Sequence, residues 1–173
     1  SKPARRRTYK NGSEWQERRL TMESKNKPRI SVPASERSDI DRKVLAWLNE
    51  YPDLPVKVIE MQPMLPINQV GMAVAASTNA FYSKRYILGG YRAEYSFQIF
   101  YRIRPGDSMN ARLEALETLN TIGDWCRENK PNLGDAIRVL NVSPVSSAEL
   151  LAPYEGGDED YFIEIRLTYE VGV

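Results

Sequence analysis

Thirteen residues near the middle of the chain alternate almost without a break. Tyr91, Ala93, Tyr95, Phe97, Ile99, Tyr101 and Ile103 fall at every second position, with Arg92, Glu94, Ser96, Gln98, Arg102 and Arg104 between them. Only Phe100 is out of pattern. A period of two places the first set on one face of a β-strand and the second set on the other. Such a strand lays one face on a core and gives the other to water. At ~3.3 Å per residue it spans ~43 Å, more than twice the usual strand. The expectation is that it projects beyond a compact core.

The segments around it fix the fold class. Ser38 followed by Asp41 resembles a capping box, and Ile40, Val44, Leu45, Trp47, Leu48 and Tyr51 then share a stripe, predicting a helix over 38–50 that Pro52 ends. Pro52, Pro55, Pro63 and Pro66 bracket a short strand, Val56–Met61. Val70–Ser77 and Tyr82–Leu88 read as strands separated by a polar turn at Thr78-Asn79, and Gly89-Gly90 signals a tight hairpin into the alternating strand. After Arg104-Pro105-Gly106, Asp107 or Ser108 caps a second helix of about twenty residues, with Met109, Leu113, Leu116, Leu119, Ile122 and Trp125/Cys126 on its stripe. Strands at 136–142 and 161–171 follow, separated by a Ser/Pro-rich loop and an acidic turn at 155–160. This order predicts an α+β fold: an antiparallel-dominated mixed sheet with both amphipathic helices on one face and one very long β-hairpin.

Charge divides the chain in two. Residues 1–37 hold eleven Lys/Arg against four Asp/Glu, and the other 136 residues hold thirteen against nineteen. With only eight apolar residues, the first segment cannot build a core and reads as a flexible basic arm before a domain at 38–173. Its Arg5, Arg6, Arg7, Arg18 and Arg19 suit phosphate contacts that release counterions, with Trp15 offering a stacking face. Docking on a protein neighbour and a plain extension are the other two readings of this arm.

The chain contains no histidine and one cysteine. Ser-His-Asp and Cys-His nucleophile systems are therefore absent, as is the commonest transition-metal ligand. Ser24-Lys25-Asn26-Lys27 matches S-x-x-K, but within the arm it has no pocket to lower the lysine pKa. Asp158, Glu159 and Asp160 read as a solvated turn rather than a cation site. Cys126 sits on an apolar stripe and reads as a structural thiol. Neither a phosphate-binding glycine loop nor an 18-residue apolar run occurs. The N-terminal residues carry no signal-peptide pattern, and the single cysteine excludes an internal disulfide framework and suggests a reducing compartment or indifference to redox. No enzyme, metal or cofactor is expected.

Tyrosine and arginine are more informative. Lys84, Arg85, Tyr86, Tyr91 and Arg92 cluster at the hairpin tip, and these residue types are enriched where one protein buries its surface against another. The alternative is that the tyrosines line the core and the cations sit in water.

A set of segments in fixed order resembles a known family. They are Asp41-Arg42-Lys43-Val44-Leu45-Ala46-Trp47-Leu48-Asn49-Glu50-Tyr51-Pro52, Gly89-Gly90-Tyr91-Arg92-Ala93-Glu94-Tyr95-Ser96-Phe97, Tyr101-Arg102-Ile103-Arg104-Pro105-Gly106-Asp107, Arg112-Leu113-Glu114-Ala115 and Ile122-Gly123-Asp124-Trp125. Together, over about residues 38–171, they resemble the tail-terminator or minor capsid proteins of long-tailed phages and prophages of Gram-positive bacteria. The resemblance implies a structural virion protein without catalysis, assembled as a homo-oligomeric ring of six copies. Such a ring caps the tail tube protein at the head-proximal end and meets the head-tail connector, after assembly in the host cytoplasm. Two other roles stand beside it: a head-completion protein on the portal side, and a nucleic-acid-binding protein using the basic arm. The basic arm departs from the family pattern: reaching a neighbouring ring, lining the lumen against genomic DNA and an extended start upstream of Met22 are its open readings, and no membrane partner is expected.

Overall fold

A computed structural model describes residues 29–172, except 63–64, 67–68 and the side chains of 77–79. It is an α+β fold built on a mixed, mostly antiparallel open sheet with two helices. In chain order the elements are α1 (Ala34–Leu48), β1 (Glu60–Met61), β2 (Gly71–Arg85), β3 (Tyr91–Ile103), α2 (Met109–Glu128), β4 (Ile137–Pro144), β5 (Glu149–Pro153) and β6 (Glu159–Val171). The sheet runs β1-β2-β3-β6-β4, with β5 beside β6 beyond the end of β4. Only β1 and β2 pair in parallel among the described strands.

The alternating segment is the central strand. β3 pairs with β2 on one side and with β6 on the other, from Tyr91↔Val171 to Ile103↔Glu159. Its length is therefore matched by β6 and does not project beyond the sheet. A neighbour on each side satisfies the backbone groups that a projecting strand would leave open. Tyr95, Phe97 and Ile99 are buried on the face that meets the helices. Phe100, the exception to the alternation, turns to the opposite face and lies 6.4 Å from Phe162.

Three aromatic rings join the layers. Trp47 of α1 stacks on Trp125 of α2 at 5.4 Å and meets the Phe97 ring edge-on at 6.5 Å. Trp47 Nε1 also donates to the Asn129 carbonyl at 2.7 Å, which satisfies the buried indole and holds the end of α2. Gly123 lets α2 approach the sheet: a Cβ there would lie 2.9 Å from both Ile163 Cδ1 and Pro144 Cγ.

Several boundaries differ from the sequence reading. Helix α1 starts at Ala34, a turn before Ser38, and Pro33 stands at its N-cap without a side-chain hydrogen bond. Residues 29–37 belong to the folded unit rather than to an arm. Val32 N donates to Ala80 O, Tyr82 N donates to Ile30 O, and Val32 is buried. The polar residues at 78–79 do not turn the chain, because register shifts between Ala76 and Phe81 absorb them and β2 runs on as one strand. The strand foreseen at 56–61 shrinks to Glu60–Met61, and a strand not foreseen, β5, forms within 149–153.

The second helix keeps its extent and its Ser108 cap, whose Oγ accepts from Ala111 N at 3.1 Å. However, Met109 and Leu113 are exposed, and Ala115, Leu119, Ile122, Gly123 and Cys126 form the buried face. No described helix is long and apolar enough to cross a membrane.

Candidate functional site

The turn joining β2 to β3 is flanked by the five interface candidates and is centred on two side chains that were not among them. Tyr86 N donates to Gly90 O at 3.1 Å and Gly89 N to Tyr86 O at 3.2 Å, so Ile87 and Leu88 occupy the central positions of the turn. They are 103% and 101% exposed. Gly90 has φ 79°, and a Cβ there would lie 2.6 Å from Gly172 O and 2.7 Å from Val171 O. The end of β6 thus presses against the base of the turn and holds its tip outward. Polar residues and glycine usually fill such positions, because nothing there buries an aliphatic side chain. That mismatch was the signal available in the sequence.

The charged candidates divide by role. Lys84 and Arg85 are exposed, with Lys84 Nζ 5.1 Å from the Tyr86 ring centroid and the Arg85 guanidinium 4.2 Å from that of Tyr82. These cation–π contacts spread the two cations beside the tip. Arg92 and Tyr86 serve the fold instead. Both bind Glu170 Oε1, at 2.8 and 2.9 Å, while Arg138 holds Glu170 Oε2 at 2.6 Å. Arg138, then Arg92 and Tyr86, hold the Glu170 carboxyl down at about 2. Tyr91 is likewise internal: its hydroxyl donates to Glu36, and its ring meets Tyr82 edge-on at 4.8 Å. Burial first, and then the Glu36 bond, raise its pKa. The arm candidates Arg5, Arg6, Arg7, Trp15, Arg18 and Arg19 lie outside the described residues, as does Ser24-Lys27.

A second exposed apolar region lies on the far flank. Val145, Leu150, Leu151 and Tyr154 are each about half exposed. Register places them along one side of β6: Pro144 pairs with Ile165, Val145 N donates to Glu164 O, Leu150 pairs with Tyr161 and Pro153 with Glu159. The backbone of β5 away from β6 has no described strand beside it. Glu149 and Glu155 are exposed next to this edge.

The acidic turn is not solvated. Asp158 and Asp160 are buried, and each of the three carboxylates meets an arginine: Arg104 on Asp158 at 2.8 Å, Arg112 on Glu159 at 2.9 Å and Arg102 on Asp160 at 2.7 Å. The arginine of the Arg104-Pro105-Gly106-Asp107 segment therefore fastens one end of β3 to the start of β6. Among the described residues, no group of three or more Asp, Glu or Cys side chains is placed to hold a metal ion.

Cys126 is buried on α2, and burial pushes its thiol up to about 12, so it stays protonated. A groove of about 440 Å³ between the helices is lined by Trp47, Glu50, Trp125 and Lys43. Of its two lysines, Lys43 is bonded to Leu133 O and Asp39, at 2.7 Å each, and Lys130 to Leu140 O at 2.9 Å. Exposed apolar side chains on the described surface thus include the Ile87–Leu88 turn and the β5 flank, besides Met109 and Leu113 at the start of α2. The chain matches no protein-family model and no curated protein sequence.

Proposed function

We propose that this protein is a structural virion component, a tail terminator. Six copies form a ring that caps the tail tube, stops its polymerisation and meets the head-tail connector. The observation that carries the reading is the placement of exposed apolar side chains at two unlike points, Ile87 and Leu88 on the β2–β3 turn and Val145, Leu150 and Leu151 on the β5 flank. A closed ring needs two different surfaces per subunit, since each copy meets its neighbours head to tail. The ordered segments that resemble tail terminators support the same assignment. The long hairpin and the basic arm belong to it, the first as a subunit contact and the second reaching a neighbouring ring or the DNA in the lumen.

Electron microscopy of lysates from a phage lacking this protein tests the role. Free tails of uncontrolled length, unable to join filled heads, support it. Tails of normal length beside leaking or tailless heads assign the protein to head completion on the portal side. A DNA-binding role instead requires salt-dependent affinity that disappears when residues 1–28 are removed.

A further inference from the structure

The Ile87–Leu88 turn and the β5 flank cannot satisfy each other within one chain. The turn leaves the sheet beside Val171, and the β5 flank is centred on Tyr161, ten residues back along β6. At ~3.3 Å per residue that is ~33 Å. They also lie on opposite sides of β6, one across β3 and the other across β5. We infer that the Ile87–Leu88 turn of one copy docks on the Val145, Leu150 and Leu151 edge of a second copy, and that this repeated contact is the subunit interface. The inference deepens the ring reading and rests on it for the closure of the assembly.

Charge selects the second copy as the occupant. Lys84 and Arg85 flank the turn, and Glu149 and Glu155 flank the edge, all of them exposed. Turn against edge brings opposite charges together at the rim of an apolar centre, whereas turn against turn or edge against edge crowds like charges. A symmetric dimer through either feature is therefore disfavoured, and the head-to-tail arrangement that remains closes a ring or extends a filament. An apolar centre with a charged rim also follows the core-and-rim layout of protein interfaces.

The test is disulfide trapping in the full chain. Leu88→Cys and Leu151→Cys proteins, mixed in equal amounts and oxidised, are digested, and the linked peptides are quantified by mass spectrometry. The expected result is at least tenfold more 88–151 linkage than 88–88 or 151–151 linkage, a preference that disappears in urea, where pairing becomes random. Cys126, buried and protonated, stays out of the exchange. Should either variant fail to fold, Ile87→Cys with Leu150→Cys reads the same contact. Lys84→Glu with Arg85→Glu should reduce the trapped yield, and adding Glu149→Lys with Glu155→Lys in the partner should restore it. Linkage of 88–151 no more than twice that of either like pair, which is the ratio random pairing gives, or dominant 88–88 linkage, overturns the contact. Strong 88–151 linkage in a protein whose deletion leaves tails normal keeps the contact and removes the tail role. Uncontrolled tails without that linkage remove the contact alone.

Discussion

Arg102 and Asp160 face each other across β3 and β6 and form a two-pronged pair, Nε to Oδ1 at 2.7 Å and Nη2 to Oδ2 at 2.8 Å. Both residues are buried. The third nitrogen, Nη1, donates to the Leu65 and Pro66 carbonyls at 3.0 and 2.8 Å, and Tyr154 OH donates to Asp160 Oδ2 at 2.8 Å. A buried pair this well satisfied is costly to break and far less costly to replace. Asp160→Ala leaves a guanidinium without its counter-charge and should lose about 3–5 kcal/mol of stability in urea unfolding. Arg102→Met with Asp160→Leu should lose much less, and equal losses in the two would contradict this account.

Glu170 makes stability depend on acid. Its folded carboxyl titrates at about 2, against an ordinary value of 4.5 in the unfolded chain. The unfolded state takes up the proton first, so the contribution is complete above the unfolded value and drains away as pH falls through 4.5 towards 2. Unfolding midpoints of the wild type and Glu170→Gln should therefore converge as pH drops across that window. A constant gap from pH 6 to pH 2 would count against the arginine cluster.

Two glycines in one turn should respond differently. Gly89 has φ 96° and open space around its Cβ position, so Gly89→Ala bears only the left-handed backbone cost, about 1 kcal/mol. Gly90→Ala adds contact with two backbone carbonyls that cannot step aside without shifting β6. Thermal unfolding should show the larger loss at Gly90, by about 1–3 kcal/mol beyond Gly89→Ala.

The Tyr169 hydroxyl is buried without a hydrogen-bond partner among the described residues. Tyr169→Phe removes an unsatisfied polar group and keeps the ring in the core, so it should raise stability by about 1 kcal/mol. A loss of similar size in chemical denaturation would mean that the hydroxyl is satisfied.

Lys84 and Arg85 stand apart from the buried network. Lys84→Glu with Arg85→Glu should change folding stability by no more than about 0.5 kcal/mol per site. Arg92→Glu should be clearly destabilising, because it sets a carboxylate against Glu170. Circular dichroism melts separate the two cases.

The alternation over 91–103 and most of the 3.6-residue stripes were legible because Ala93, Tyr95, Phe97 and Ile99, and Leu119, Ile122 and Cys126, are buried on one face. The burial of Ser96 and Arg102 and the exposure of Met109 and Leu113 were not legible. The start of α1 was not, since Pro33 replaces the hydroxyl cap that the sequence offers at Ser38. The acidic turn at 155–160 was misread for a related reason: its three arginine partners, Arg102, Arg104 and Arg112, lie about fifty residues away in sequence. Nor does local pattern show which candidates at the turn are spent on the fold. Tyr91 and Arg92 are committed to Glu36 and Glu170, from α1 and β6. Ile87 and Leu88 were passed over because aliphatic residues beside a predicted hairpin read as strand.

Cryo-electron microscopy of intact particles at the head–tail joint tests the central claim most directly. The account predicts a six-membered ring of this fold between the last tube ring and the connector, with each β2–β3 turn seated on the β5 edge of the next subunit. Density at that joint that this fold does not fit, or this protein found only on the portal side, would contradict it.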